Sequence, residues 1–542
     1  MNASALTPQI ILYNGYVATP DSAAPRAQAL AVGSGKILFV GQNEEVLHRS
    51  GPVTEKIDLE GRLVVPGFFD SHIHFYEWAL KRRGVNLEGL NHLHELLDRV
   101  RNVADNKPPG QWIIGHGWNE TDWAERTMPT REALDRVAPA HPTLLWRCDL
   151  HLAAANTAAL RLAGITADTP DPPEGRIERD PKGEPTGILR ELAINLVRQA
   201  VAPPNEKQVI EAFEDAVKAL HRRGITAIHD IRLMADKDGA SAFQAFQTLD
   251  HGGRLDLRCW VSLPGHLLDN IIDLGLRTGF GNDRLRVGHV KFFADGGMGA
   301  RTAWLIEPYL DAERGIPLMD MKELAGQISK ADNAGLSVMV HAVGDRANRE
   351  LIDIFETLES QRRSAGLPPP AIAHRIEHVQ MIRPEDVNRL RRLEVALCVT
   401  PANMVLDMNL IDLALGNRGK WTYAFRRLLD SGAPVMFSSD CPVCDPDPLL
   451  GMHAAVTRQR TDQTPEGGWY RENRVTMDEA LRAYTDVPAT AHKASDLGVL
   501  AAGKRADLAV LSDNILKIPP SQLPEIRVDM TLFDGRLVYQ RL

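Results

Sequence analysis

The chain has 542 residues, 44% of them hydrophobic and 25% charged, and a formal net charge of −9. A mean hydropathy of −0.22 and a pI near 6.1 are typical of a soluble globular protein. The length predicts one large domain with additions, or two to three domains. The negative charge argues against nucleic acid or an anionic membrane as the partner and favours a small-molecule substrate.

The two ends of the chain share one sequence pattern. The N-terminus, MNASALTPQIILYNGYV, lacks the features of a signal peptide, and no run reaches the length of a membrane span, so a cytoplasmic protein is expected. Residues 1–66 alternate short apolar runs with turn signals, and GKRADLAVLSD and VDMTLFDGRLVYQ repeat this pattern near the C-terminus. Because a few short strands are marginal alone, residues 1–66 and 496–542 are predicted to pair into one composite β-sandwich domain.

The middle of the chain predicts a large barrel. The apolar run LVVPGFFDSHIH indicates a strand, and residues 80–220 are too long and too rich in Pro, Trp and charge for a simple crossover. That region is predicted to be an insertion over the barrel mouth, within a hydrolase domain of residues 67–495. After Gly224, further strands are predicted between helical segments, at residues 224–231, 257–264, 286–296, 337–345, 375–380, 395–401 and 434–440. Eight strands with helical crossovers predict an α/β fold, a (β/α)₈ TIM-like barrel, whose active site forms at the C-terminal strand ends.

Two histidines close the first predicted barrel strand. Side chains alternate along a strand, so His72 and His74 point the same way and can bind one metal ion. Such a pair also occurs by chance in a chain with 18 histidines. A second pair, His92 and His94, lies in NHLHELLDRV, where a helical period is predicted to place the two on different faces of a surface helix.

Other candidate ligands also fall at predicted strand ends. Imidazoles and carboxylates bind borderline divalent metals, and the rim of a barrel brings distant positions together. Taken singly, each of these residues reads as an ordinary core or surface side chain. Their coincidence with strand ends favours a metal site, whose predicted members are His72, His74, Lys291, His341, His378 and Asp440.

Lys291 is unusual because it lies in an apolar strand, GHVKFFADG. Burial of an ammonium group is costly and lowers the lysine pKa, which makes the neutral amine reactive. That amine could add carbon dioxide to form a carbamate anion able to bridge two metals. The alternative is a lysine that extends to solvent or pairs with Asp295.

Several longer motifs recur along the predicted barrel, namely PGFFDSHIH, VKFFADGGMGARTA, VHAVGDRA, RIEHVQ and SSDCPV, flanked by NGYV and by GKRADLAVL. Together they resemble the amidohydrolase superfamily. More narrowly, the chain resembles the family 3 branch that includes N-substituted formamide deformylases, over nearly its whole length. The resemblance implies a TIM-like barrel with a composite β-sandwich and a metal-dependent hydrolase.

The resemblance also implies a role for each candidate residue. His72 and His74 would bind the more buried metal, and His341 and His378 the second. Lys291 would be the carboxylated bridge. Asp440 would touch the first metal and shuttle the proton during attack of metal-activated hydroxide on the substrate. The expected cofactor is zinc or a similar divalent ion, one or two per chain.

Each of several residues around these candidate ligands can be interpreted in two ways. Trp118 and His151 lie in the insertion and could either reach substrate or pack in a core, while Arg346 could bind a carboxylate or cap a helix. Cys441 and Cys444 form a CxxC without a redox or zinc context, which favours a pocket wall beside the site. The carboxylates that could orient imidazoles, or simply form turns, are Asp70, Asp295 and Asp345.

The leading hypothesis is hydrolysis of a non-peptide C–N bond in a linear or N-substituted amide. A cyclic-amide hydrolase, a deaminase or a lactonase would use the same site, since the lid rather than the barrel sets the substrate. A non-catalytic scaffold is the alternative from another class, although it would have no reason to keep six polar groups at one rim. The oligomeric state stays open, with a homodimer as one expectation.

Overall fold

The computed structural model describes residues 7–18, 27–120, 123–147, 152–172, 175–231 and 239–541. The chain folds as two compact units. One contains residues 1–76 and 214–542, and the other contains residues 77–213. No helix among the described residues is long and apolar enough to cross a membrane.

The N-terminal part of the first unit is built almost entirely from strands. In chain order its elements are β1 Ile10–Tyr13, β2 Tyr16–Val17, β3 Ala29–Gly33, β4 Lys36–Gly41, α1 Asn43–Leu47, β5 Glu55–Asp58, β6 Leu63–Pro66 and β7 Phe68–Ile73.

The following segment alternates short strands with helices. Its elements are α2 Phe75–Arg82, β8 Val85–Asn86, α3 Leu93–Asp105, β9 Ile113–Trp118, α4 Arg131–Asp135, β10 Thr143–Arg147, β11 Leu152–Ala155, α5 Thr157–Leu162, β12 Gly175–Arg179, β13 Pro185–Glu191, α6 Ile194–Arg198 and α7 Glu206–His221.

The remainder alternates strand and helix and then returns to strands. Its strands are β14 Ile225–Asp230, β15 Arg258–Pro264, β16 Leu285–Phe293, β17 Val338–Ala342, β18 His374–His378, β19 Val395–Val399, β20 Val435–Phe437, β21 Leu508–Leu511, β22 Val528–Phe533 and β23 Arg536–Gln540. Its α-helices are α8 Gly239–His251, α9 Leu268–Asp273, α10 Met321–Asn333, α11 Asp345–Ser364, α12 Pro384–Leu390, α13 Pro401–Leu415, α14 Phe425–Asp430, α15 Pro448–Thr457, α16 Met477–Ala483 and α17 Asp486–Ala491. Short 3₁₀ helices cover Gly265–Leu267, Gly416–Trp421, Arg471–Asn473 and Pro520–Glu525.

Eight parallel strands form the barrel, in the order β20-β19-β18-β17-β16-β15-β14-β7. The first and last are joined at the rim, where the Asp440 N–H donates to His72 O (2.9 Å) and the His74 N–H donates to Cys441 O (2.8 Å). Strands such as β7, β14 and β19 are buried along their whole length, as expected when helices cover a parallel sheet. The predicted TIM-like barrel is therefore confirmed.

Both chain ends contribute to one small sheet. The five-stranded sheet β2-β6-β21-β22-β23 combines two N-terminal strands with three C-terminal ones, and the four-stranded sheet β4-β3-β1-β5 is N-terminal. Ile10 and Leu30 from one sheet share an apolar core with Leu508 and Leu532 from the other. The composite β-domain of the predicted fold is confirmed by this shared core.

The run LVVPGFFDSHIH forms two strands instead of the single strand predicted. β6 belongs to the composite sheet and β7 to the barrel, and Gly67 lies between them. The Gly67 N–H donates to Asp507 O, and a Cβ added at Gly67 would lie 2.2 Å from Thr226 Oγ1. Close approach of β14 therefore requires glycine where the chain passes from one sheet to the next.

The unit of residues 77–213 has its own six-stranded sheet, ordered β12-β13-β11-β10-β9-β8. Leu144 and Leu145 are adjacent on β10 and pack into different apolar clusters, as alternation along a strand requires. The predicted insertion of residues 80–220 overlaps this unit, and its placement over the barrel mouth stays a prediction.

Candidate metal centre

The predicted site residues lie at the C-terminal ends of barrel strands or directly after them. His72 and His74 close β7, Lys291 is near the end of β16, and His341 and His378 are near the ends of β17 and β18. Asp440 follows β20 by three residues. Barrel closure brings strands one, four, five, six and eight to one rim, although the residues are spread over more than 360 positions.

His72, His74 and Asp440 form a compact group. The Nε2 atoms of His72 and His74 lie 3.5 and 3.3 Å from Asp440 Oδ1. All three side chains are buried, and each offers one ligand atom within 4.8 Å of the other two. Two imidazoles and a carboxylate at this spacing are a donor set suited to a divalent cation.

A second pair of imidazoles adjoins this group. The His341 and His378 ring centroids are 4.6 Å apart, and the His378 ring is 5.0 Å from that of His72. His341 Nε2 lies 3.3 Å from Gly296 O, so donation to this carbonyl leaves Nδ1 free to act as a ligand. The structure thus brings all four predicted histidines together.

Lys291 is buried in this polar rim. It is 3% exposed, and its Nζ lies 4.9 Å from the centroid of the Phe293 ring. Burial lowers the pKa of Lys291 to about 8, although the charges of Glu377 and Asp440 oppose the change. The alternative pairing with Asp295 is not formed, because Asp295 accepts the backbone N–H groups of Trp304, Val343 and Gly344 instead.

Burial and nearby charges shift the pKa values of these side chains towards the forms that can bind a cation. Burial, together with the positive charge of Lys291, lowers the pKa of His72 to about 4. Burial lowers the pKa of His378 to about 3 and that of His341 well below its usual range. Burial would raise the pKa of Asp440, but the His74 hydrogen bond and nearby imidazole charges hold it below its ordinary value. At neutral pH His72, His341 and His378 are therefore neutral imidazoles, and Asp440 is ionised.

Two of these residues adopt left-handed backbone conformations. The φ angles are +71° at His378 and +56° at Asp440. Residues other than glycine rarely adopt such angles, and they cluster at functional sites where the surrounding structure holds them. The backbone therefore turns at the strand end to aim both side chains into the rim.

Two residues that contact the candidate ligands were not predicted from the sequence. Glu377 is fully buried and its Oε2 lies 2.5 Å from His72 Nδ1. Asn403, in the first turn of α13, donates from Nδ2 to Asp440 Oδ2 (3.1 Å). A charged pair at alternate positions of an apolar strand, as in RIEH, was a signal for Glu377, whereas nothing in TPANM singles out Asn403.

The three carboxylates predicted to orient imidazoles bond mainly to backbone. Asp70 accepts the Ser439 N–H (3.0 Å) and hydroxyl (2.5 Å), and burial raises the pKa of Asp70 to about 6. Burial likewise raises the pKa of Asp295 to about 7. Asp345 accepts the Ile306 N–H (2.9 Å) and bonds Arg383 Nε (2.5 Å). They hold the rim segments in place, and the side chain that bonds a ligand imidazole is Glu377.

The predicted substrate-binding residues have different outcomes. Trp118 is fully buried within the unit of residues 77–213, where its Nε1–H donates to Leu145 O (3.1 Å), so the structure gives it a packing role. His151 lies outside the described residues. Arg346 is half exposed and pairs with Glu350, and its role in binding stays a prediction.

Cys441 is buried directly after Asp440, and burial raises the pKa of Cys444 to about 12. A protonated thiol of this kind is a poor metal ligand, which fits the predicted pocket wall. The described residues include four cysteines, none of which forms a disulfide: Cys259, Cys398, Cys441 and Cys444.

The second histidine pair differs from its prediction. The His92 and His94 rings lie 5.1 Å apart, and His92 Nδ1 is 3.0 Å from Glu125 Oε2. His92 is the extended residue that precedes α3, with φ −146° and ψ 148°, so the helical rotation that would separate the two rings does not apply. They form an exposed group within the unit of residues 77–213.

The sequence matches the profile of the Amidohydrolase family over residues 55–539. The chain belongs to the amidohydrolase family. The family match thus covers the barrel strands, every rim residue described above and the strands β5, β6, β21 and β22 of the composite β-domain.

Relatives in this family cover nearly the whole chain. The Bacillus subtilis protein YtcJ, named as an amidohydrolase, is 32% identical over 98% of this chain and 99% of its own length. The N-substituted formamide deformylase of Arthrobacter pascens is 30% identical over 98% of both chains. A solved structure of an uncharacterised metal-dependent hydrolase from Pyrococcus furiosus aligns with a TM-score of 0.76 and 30% identity, over 94% of this chain and 100% of that one.

Proposed function

We propose that this amidohydrolase hydrolyses a carbon–nitrogen bond other than a peptide bond, in a linear or N-substituted small-molecule amide, with divalent metal ions. The observation that carries the proposal is the convergence of four imidazoles, a buried lysine and a buried carboxylate on one barrel rim. The full-length similarity to a formamide deformylase favours an amide over other substrates.

The residues present fit two divalent ions, such as zinc. His72 and His74 would hold the first with Asp440, and His341 and His378 would hold the second. Lys291 would carry a carbamate between them, formed when its neutral amine adds carbon dioxide and releases one proton. Burial lowers the pKa of Lys291 to about 8, which increases the fraction of neutral amine at neutral pH above that of an exposed lysine. When bound, such ions supply Lewis-acid chemistry that activates a water and polarises a carbonyl.

We assign the proton transfers of the proposed reaction to Asp440. Its Oδ1 faces the two imidazoles of the HxH pair, while its Oδ2 accepts the Asn403 amide. In the proposed reaction Asp440 accepts the proton of the attacking water and delivers it to the leaving nitrogen, so that the amide yields a carboxylic acid and an amine. The same carboxylate therefore acts first as base and then as acid.

A substrate panel tests this proposal. Purified metal-loaded protein is incubated with N-substituted formamides, linear acetamides, cyclic imides, aminopurines and lactones, and the released amine or acid is quantified. Turnover of linear or N-substituted amides, lost in Asp440→Asn, is the expected result. Turnover confined to cyclic imides, aminopurines or lactones would assign the site to a cyclic-amide hydrolase, a deaminase or a lactonase and contradict the proposal.

A further inference from the structure

A buried ion pair lies directly behind the first metal-ligand histidine. His72 Nδ1 is 2.5 Å from Glu377 Oε2, and Glu377 is fully buried. Arg375 holds both oxygens of this carboxylate, with Nε donating to Oε1 (2.8 Å) and Nη2 donating to Oε2 (2.9 Å). Arg375 Nη2 also donates to Ser71 O (2.7 Å), so the same guanidinium binds the backbone of the ligand strand. Such a bidentate pair fixes the carboxylate in one orientation.

Imidazoles occupy the other side of the guanidinium. Arg375 Nη1 lies 3.1 Å from His229 Nδ1 and 3.5 Å from His492 Nε2. His492 Nδ1 is 2.8 Å from Pro488 O, and donation to that carbonyl leaves a lone pair on Nε2. The third ring, His289, has its centroid 5.0 Å from that of His229, and its Nε2 lies 2.8 Å from Ala373 O.

The three imidazoles also have the spacing of a metal site. All are fully buried, and burial, with the charge of Arg375 next in importance, lowers the pKa of each below its usual range. However, the Arg375 guanidinium already lies against this group, 3.1 Å from His229 Nδ1 and 3.5 Å from His492 Nε2, and these two nitrogens are hydrogen-bonded to each other (2.9 Å). A metal ion beside it would meet a like charge among buried side chains, which is costly. The group is therefore better explained as a neutral cradle for Arg375.

We propose that Glu377 and Arg375 are positioning residues that set the metal affinity of His72. Glu377 accepts the Nδ1–H of His72, which fixes the tautomer, keeps the Nε2 lone pair directed towards Asp440 and increases the basicity of the ligand. Arg375, held by its imidazole cradle, keeps Glu377 charged and in place. This inference rests on the proposed metal centre and adds to it a chain of contacts that runs from the barrel interior to the metal.

A second buried histidine–carboxylate pair, whose histidine lies on β18 like Glu377, provides the matched control. His374, at the start of β18, has Nε2 3.2 Å from Asp332 Oδ1, and Arg362 pairs with the same carboxylate. This triad also combines an imidazole, a carboxylate and a guanidinium, with aspartate in place of glutamate, but His374 is not a candidate ligand. Asp332→Asn therefore reports the cost of breaking a buried histidine–carboxylate pair without touching the metal.

The experiment measures metal affinity in apo protein by competition with a chromogenic chelator, using Zn²⁺ and Co²⁺. Glu377→Gln keeps the shape of the side chain but removes its charge, and is expected to weaken binding about 10- to 100-fold and to change the visible spectrum of bound Co²⁺. Arg375→Met should weaken binding similarly, whereas Arg375→Lys, which retains a positive charge, should weaken it less. Asp332→Asn should keep the wild-type affinity and spectrum.

Each outcome decides a separate point. Wild-type affinity and spectrum in Glu377→Gln would overturn this inference and leave the proposed function standing, while wild-type protein that binds no metal would overturn both. If circular dichroism shows that Glu377→Gln does not fold, the metal affinities of Arg375→Met and Arg375→Lys are compared instead. Equal loss of affinity in these two variants would contradict the inference. A metal ion could stay bound in the double variant His72→Ala/His341→Ala and be lost when His289→Ala is added. That result would show that His229, His289 and His492 bind metal, and it would contradict their interpretation as a neutral cradle for Arg375.

Discussion

Removing the amide of Asn403 tests how the orientation of Asp440 contributes to turnover. Asn403 is 9% exposed, and its Nδ2 donates to Asp440 Oδ2 across 3.1 Å. A hydrogen bond to a charged group contributes about 1.5–3 kcal/mol. If the whole free energy of this hydrogen bond stabilises the transition state, kcat in Asn403→Ala falls about 10- to 150-fold, since about 1.4 kcal/mol corresponds to a factor of ten. KM should change little, because the lost bond orients a protein group and does not hold substrate.

Steady-state kinetics on the best amide of the substrate panel measure both constants. Asn409→Ala is the matched control, because Asn409 is an exposed asparagine on the same helix, bonded to Arg460 (3.1 Å). That variant should keep wild-type kcat and KM. A kcat for Asn403→Ala within twofold of wild type, in protein with an unchanged circular dichroism spectrum, would refute the orienting role.

Three further substitutions test the site and the frame that supports it. Asp440→Asn should lower kcat about 10²- to 10⁴-fold, the usual contribution of a general acid–base group, and activity above a tenth of wild type would contradict its role. Arg258→Met leaves the buried carboxylate of Asp507 without the bonds it now accepts from Arg258 Nε (2.5 Å) and Nη2 (3.0 Å), and should lower the free energy of unfolding by about 3–5 kcal/mol in urea titrations. Gly67→Ala places a methyl group against Thr226 and should cost about 1–3 kcal/mol; an unchanged urea midpoint would show that the two strands separate easily.

The barrel could be predicted because its strands are buried on both faces and therefore appear as continuous apolar runs. The same property hides boundaries: LVVP and FFDSHI read as one run, and their assignment to two sheets depends on how closely β14 approaches Gly67. Tertiary contacts of this kind leave no trace in local periodicity. The His92–His94 prediction failed for a related reason, since the position of the helix start decides which face each ring takes.

The clustering of the candidate ligands could be predicted because strand ends and ligand chemistry are both visible in a sequence. Their partners are harder to predict. Glu377 could have been recognised as half of a charged pair with Arg375 inside an apolar strand, but its contact with His72 joins residues 305 positions apart. Asn403 lies on a helix whose first turn reaches Asp440 only after the barrel closes. Such contacts are set by packing across the barrel, which no short motif encodes.

The most direct test of the proposed centre is the metal content per chain. Elemental analysis is made on protein purified without chelator and with bicarbonate present, for wild type and Lys291→Ala. Both carry His92→Ala, which disrupts the exposed group with His94 and Glu125. We predict about two equivalents of zinc or a similar divalent ion in the protein that carries only His92→Ala. Fewer equivalents are expected when Lys291→Ala is added, because that variant loses the bridge. No metal, or one equivalent that is unaffected by the loss of Lys291, would contradict the bridged two-metal site.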